Sequence, residues 1–252
     1  MNSNSISVIT INYNNKAGLE KTIESVAQQN HENFEYIVVD GQSSDGSIDV
    51  IKENQSSISR SIVEKDSGIY DAMNKGIRAS TGKYLLFMNS GDWFTSSSTL
   101  KEFSSFIDEE TDIIYGDLVF IDTSNKTSHS NYPVELSFDY FTRRTLPHQA
   151  TLIKRSVFDT AGLYDTSYKI VSDWGLFCLA ICKYQKSYKK VPLLVANFPT
   201  DGIGSRSVQE RVRERERFLD THFKLFVEDY KKFNDLRGSP GVRILNRLFG
   251  FR

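Results

Sequence analysis

Four short apolar runs, each ending in amides or carboxylates, constrain the fold of this chain more than any other feature of it. Ile6 to Asn12 is β-branched and alternates apolar with polar residues; Asn14 and Asn15 interrupt it, and Leu19, Ile23 and Val26 follow at helical spacing. Phe34 to Val39 predicts a second strand ending at Asp40-Gly41, after which Ser44-Asp45-Gly46 reads as the cap of a helix through Ile48 and Ile51. A third strand, Arg60 to Glu64, leads through Asp66-Ser67-Gly68 into a helix carrying Ala72, Ile77 and Ala79. After Ser80-Thr81-Gly82, Tyr84 to Met88 is apolar without interruption, as expected of a strand covered on both faces.

Repetition of strand, helix and strand implies an α/β fold: a mostly parallel central sheet flanked by helices. Ligands of such sheets bind beyond the carboxyl ends of the strands. The polar residues of this half fall at those ends: Asn12 to Asn14, Asp40, Asp66, and Asn89 to Asp92. Each alone is an ordinary cap or turn residue, but together they read as one crevice lined by carboxylates and amides. No G-x-G-x-x-G follows the first strand and no phosphate-loop motif occurs, so phosphates bound here must be met differently. A divalent cation, Mn²⁺ or Mg²⁺, held by one or two carboxylates and by phosphate oxygens, is the expected substitute.

Composition excludes some partners. With 31 basic against 32 acidic residues there is no overall electrostatic case for nucleic acid. Cys178 and Cys182 lie one helical turn apart in an apolar stretch and read as small core residues in a reducing compartment. The start, Met1 to Ser7, is polar and lacks the pattern of a signal peptide. Apolar runs such as Tyr84 to Met88 fall far short of the ~20 residues that span a bilayer. A cytoplasmic protein, at most resting on the membrane surface, is expected.

Several segments together resemble family 2 glycosyltransferases of the GT-A fold: Ser7-Val-Ile-Thr-Ile-Asn-Tyr-Asn14, Ile37-Val-Val-Asp-Gly-Gln-Ser-Ser-Asp-Gly46, Ala72-Met-Asn-Lys-Gly-Ile-Arg-Ala-Ser-Thr-Gly82 and Leu86-Phe-Met-Asn-Ser-Gly-Asp92. A sparser match runs from Pro147-His-Gln149 to Ser172-Asp-Trp174. Asp66-Ser-Gly-Ile-Tyr-Asp-Ala-Met-Asn-Lys-Gly76 points to the bacterial enzymes that assemble O-antigen, colanic acid or capsule repeat units. The resemblance implies a nucleotide-binding half over residues 1–95 and an acceptor-binding half over residues 96–200.

What the family does with matching positions gives each residue an expected role. Asp40 would accept from the ring N–H of the donor base, usually uracil, with Thr10, Asn12 and Tyr13 bordering the base; a plain turn is the alternative for Asp40. Asn89-Ser90-Gly91-Asp92 stands where the family has its D-x-D type motif, so Asp92 would hold the cation. Gly91 replaces an acidic residue that contacts ribose in many relatives, which leaves Asn89 for that contact. Asp173 would take the proton of the acceptor hydroxyl, although Ser172 replaces the usual preceding acid and a helix cap is the alternative. His148 and Gln149 would lie near the acceptor. Trp174 is either a sugar-stacking wall or core, and Asp66, Asp71 and Lys75 are candidates for the donor sugar or diphosphate.

Residues 201–252 read as an extension to the catalytic domain. Gly202-Ile-Gly-Ser-Arg206 is either a lid bringing Arg206 to the phosphates or a linker. Val208 to Lys232 has a helical pattern with a charged, salt-bridged face, and Gly241 to Arg252 is basic and amphipathic. That last segment suits either a peripheral contact with anionic lipid or packing on the body or a second subunit. The expected activity is inverting hexosyl transfer from a UDP-sugar to an acceptor hydroxyl, with a sugar on undecaprenyl diphosphate as the first acceptor to try. A non-catalytic nucleotide-sugar or carbohydrate-binding protein on the same fold is the competing expectation.

Overall fold

The computed structural model describes residues 5–200 and 208–238. Two compact units make up the chain, one extending to Ser207 and one starting at Val208. Among the described residues, the first is built on a nine-stranded sheet.

Its first half follows the alternation of the sequence: β1 (Ile6–Asn12), α1 (Lys16–Ala27), β2 (Phe34–Asp40), α2 (Ser47–Glu53), β3 (Arg60–Val63), α3 (Ile69–Ala79) and β4 (Tyr84–Phe87). β1 pairs in parallel with β2 and β4, and β2 with β3. Successive residues of β1 serve opposite faces. Val8 joins Leu19, Ile23 and Val26 of α1 in the main core cluster, whereas Ile9 lies against Gly76 of α3. A Cβ at Gly76 would stand 2.5 Å from Ile9 Cγ2, so only glycine lets α3 come this close to the sheet. Burying Leu19, Ile23 and Val26 is worth about 1.5–3 kcal/mol each. The α2 cap falls within Ser44-Asp45-Gly46: Gly46 is the N-cap at φ 95°, and the Asp45 carboxylate accepts from Ser47 N at 3.0 Å and Ser47 Oγ at 2.6 Å.

The second half adds β5 (Trp93–Phe94), α4 (Thr99–Ser104), β6 (Ile113–Ile121), β7 (Thr127–His129), α5 (Phe138–Arg143), β8 (Thr151–Lys154), α6 (Arg155–Ala161), α7 (Ser172–Cys178) and β9 (Tyr188–Pro199). The spatial order is β3-β2-β1-β4-β8-β6-β9-β5, with β7 beside β6. β8 runs antiparallel to both β4 and β6, and β5 antiparallel to β9, so the parallel half continues into a mixed one. The two edges are short: β3 has four residues and β5 two. A π-helical turn, Leu179–Lys183, continues α7. Cys178 in α7 is buried and Cys182 half-buried, both as free thiols.

In the second unit, the helical pattern from Val208 divides into α8 (Val208–His222) and α9 (Lys224–Gly238). Phe223 interrupts the helix, with its ring 6.4 Å from those of Phe218 and Phe226. Neither Gly nor Pro marks the break in the sequence. Arg206, the expected lid and the basic segment from Gly241 lie outside the described residues. Among the described residues no helix is long and apolar enough to cross a membrane.

Candidate active site

Parallel register brings the polar strand ends level. Asn12 pairs with Asp40 at the ends of β1 and β2, and Ser90 N donates to Ile11 O at 3.1 Å, drawing the loop after β4 alongside. Thr22 of α1 holds that loop: its Oγ1 donates to Asp92 O at 2.7 Å and accepts from Gly91 N at 3.0 Å. Ser90 Oγ donates to Asn15 O, and Gly91 takes a positive φ of 103° at the turn.

Asp92 leaves this turn pointing inward, only 7% exposed. Burial pushes its carboxyl up to about 7, while His148 and a hydrogen bond from Gln149 pull the other way. Beside it, Asn89 Nδ2 lies 3.0 Å from His148 Nε2, and Asn89 Oδ1 is buried without a hydrogen-bond partner. Which atom donates across this contact follows the tautomer of the His148 ring. Nδ1 faces Asp173 Oδ2 at 3.2 Å.

Asp173 stands in the first turn of α7, and its other oxygen, Oδ1, accepts from Tyr70 Oη at 2.9 Å. Burial alone would raise its pKa; the hydrogen bonds from His148, Tyr70 and the backbone of Trp174 outweigh it and hold the carboxyl below its ordinary value. The phenol of Tyr70 is displaced well upward by burial and by the Asp173 charge, so it stays a donor. Tyr164 packs beside Tyr70 with ring centroids 5.6 Å apart, fixed by Asn74, whose side chain bonds both Tyr164 N and Tyr164 O. Its hydroxyl is buried with no partner.

Other expected residues fall differently. Trp174 is a correction: it is 1% exposed and donates from Nε1 to Phe141 O at 2.7 Å, so it is core and offers no wall to a sugar. Thr10 is likewise buried, bonded to Tyr36 Oη and Met88 O inside the sheet. Asp40 is 0% exposed and builds the turn that follows it: Oδ1 accepts from Ser43 N, and Oδ2 from Asn12 Nδ2 and Ser43 Oγ. Lys75 is tied to Glu64 at 3.0 Å, to Asp71 at 3.5 Å and to Lys65 O at 2.7 Å. Asp71 also accepts from Ser67 N. Tyr13, by contrast, is 65% exposed. Sequence reasoning passed over Tyr70; it stood within the Asp66 to Gly76 motif but carried no signal of a partner 103 positions away.

Among the described residues no three His, Cys, Asp or Glu side chains converge as a metal cage. Asp92 and the orphaned Asn89 Oδ1 nevertheless fit a hard cation, since both are oxygen acceptors on one loop and one is a carboxylate whose charge burial disfavours. An ion here would complete its shell with phosphate oxygens and water.

Residues 7–164 match the family described as Glycosyl transferase family 2. The chain belongs to this family. A PGL/p-HBAD biosynthesis glycosyltransferase of Mycobacterium bovis is 31% identical over 173 residues, covering 67% of this chain and 66% of that protein's length. Among solved structures, Staphylococcus aureus TarS in complex with UDP-GlcNAc superposes with a TM-score of 0.67 at 17% identity, over 86% of this chain and 66% of the other. A mannosyltransferase from Pyrobaculum calidifontis, PcManGT, in complex with GDP-Man and Mn²⁺, gives a TM-score of 0.63 at 17% identity, over 88% of this chain and 64% of that one. The fold of this family 2 chain is therefore the expected GT-A arrangement, with Asn12, Asp40 and the loop after β4 at the carboxyl ends of its parallel strands.

Proposed function

We propose that this chain is an inverting glycosyltransferase that moves a hexose from a nucleotide diphosphate donor, UDP-linked, to an acceptor hydroxyl. One observation carries the proposal: Asp173, a third of the chain away in sequence, meets the Asn89 to Asp92 loop through His148, at 3.2 Å on one side and 3.0 Å on the other. A base and a cation-binding carboxylate thus face one crevice, as single displacement at an anomeric carbon requires.

The acceptor oxygen attacks the anomeric carbon and its proton passes to Asp173. The bond from that carbon to the diphosphate oxygen breaks, and the nucleoside diphosphate leaves with the electron pair. Tyr70 and His148 orient the Asp173 carboxylate and keep it ionised, leaving lone pairs on both oxygens for the acceptor. Asp92 and Asn89 hold the divalent cation, Mn²⁺ or Mg²⁺, which when bound supplies the charge that stabilises the leaving diphosphate. Tyr13 covers the base and Gln149 steadies Asp92.

The TarS complex with UDP-GlcNAc favours a UDP donor, and the PcManGT complex with Mn²⁺ favours the metal. The M. bovis relative is named for PGL/p-HBAD biosynthesis, and the repeat-unit resemblance points to a lipid-linked acceptor in bacterial surface polysaccharide assembly. Transfer from UDP-α-glucose and UDP-α-galactose to an N-acetylhexosamine on undecaprenyl diphosphate, with the linkage read by NMR, tests this. A β-linked product is expected, and an α-linked one overturns the mechanism. Asp173→Asn should abolish transfer while nucleotide binding persists, which a non-catalytic binder would not explain.

A further inference from the structure

The resemblance assigns recognition of the base to Asp40, but the structure turns that carboxylate away from solvent. Its three short hydrogen bonds fix the turn from Gly41 to Ser43, at 2.7, 2.7 and 2.8 Å, and its side chain is fully buried. A different carboxylate reaches the crevice at this point. Asp66, just beyond β3, lies over Gly41: a Cβ built on Gly41 would collide with Asp66 Oδ2 and stand 3.1 Å from Asp66 Cγ and 3.0 Å from Tyr13 Cδ2. The φ of Gly41 is not left-handed, so what glycine contributes here is space, which this carboxylate and the Tyr13 ring occupy as they stand.

Asp66 Oδ1 accepts from Gly68 N at 3.0 Å, which holds the side chain in place, and Oδ2 has no hydrogen-bond partner among the described residues. A held carboxylate oxygen beside a largely exposed aromatic ring is a platform with one acceptor at its edge. That combination suits a flat heterocycle carrying a ring N–H.

We propose that Asp66, seated over Gly41 beside Tyr13, is the residue that reads the nucleotide base, and that it selects uracil over cytosine by accepting from the uracil N3–H. Cytosine presents an acceptor at N3, which would face the carboxylate without a proton between them. This deepens the nucleotide-sugar reading of the crevice and rests on it. Asp40 acts one step behind, shaping the turn on which Asp66 sits.

Calorimetry with UDP and CDP in the presence of Mn²⁺ tests the assignment on the full chain, because these two ligands differ only in the base edge at issue. The wild type should prefer UDP by at least tenfold. Asp66→Asn places a donor at the same point, so UDP binding should weaken about tenfold or more while CDP binding strengthens. The double variant Gly41→Asp with Asp66→Gly moves the carboxylate to the neighbouring backbone position and should restore the UDP preference. An Asp66→Asn protein that keeps the wild-type ratio of UDP to CDP affinity overturns the assignment and leaves the transferase reading standing. A wild-type protein that binds neither nucleotide defeats both.

Discussion

The loop after β4 and the first turn of α7 each carry one carboxylate on either side of His148, and the two are driven in opposite directions. Asp92, with one amide donor and no charged partner beyond His148, is pushed up to about 7 by burial. Asp173 is held below its ordinary value, because the hydroxyl of Tyr70, the imidazole of His148 and a backbone N–H all donate to it. Burial is common to both. What separates them is the number of donors, so one fold holds one carboxylate as a committed anion and leaves the other easily protonated.

The largest expected effect comes from removing the committed anion. Asp173→Asn should lower kcat by about 10³-fold, within the range that a positioned base supplies, with UDP affinity unchanged within about twofold; a comparable fall in affinity would mean that the residue shapes the binding site instead. Next is Asp92→Asn, which should remove the gain in UDP affinity that Mn²⁺ gives over EDTA. A retained metal effect in that variant would move the cation site off this loop.

Tyr70→Phe strips one donor from Asp173 and leaves the rest. Its carboxyl should rise toward the ordinary range, moving the acid limb of the kcat profile to higher pH and lowering kcat about tenfold or less. An unchanged pH profile would show that Tyr70 only packs.

The smallest effect is on stability, where the signs differ. Asp92 has a folded pKa above its unfolded value of about 3.9, so its contribution is present at low pH and lost as pH rises through about 7. Asp173 has a depressed pKa, so its contribution is present above about 3.9 and lost only as pH falls below that. Metal-free protein should therefore melt a few degrees lower at pH 8 than at pH 6, at ~2–4 °C per kcal/mol. Asp92→Asn should flatten that slope in scanning calorimetry, and a slope equally steep in the variant would place its origin in another group.

The same contrast explains what was legible in the sequence. β1 to β4 announce themselves because each is a β-branched run that stops at polar residues, and parallel register then aligns Asn12, Asp40 and the β4 loop without further information. Side-chain direction at those positions is set elsewhere. Asp40 points inward because Asn12 and Ser43 offer it three donors, and Trp174 is core because Phe141 O receives its indole N–H. The Tyr70 to Asp173 bond joins α3 to α7 across the middle of the fold, and no local spacing encodes such a contact. The antiparallel entry of β8 between β4 and β6 is equally non-local.

The short outer strands of the sheet bear on how copies of this protein meet one another. An open strand is a template on which another chain can add backbone hydrogen bonds, and its danger grows with its length and flatness. Here the border at β3 offers four residues beginning with Arg60, while on the far side β5 covers only Ala196 and Asn197 of the twelve-residue β9. The β3 border gives an incoming strand little ladder to hold, so crowding this protein on a surface should not zip its sheets together along that side.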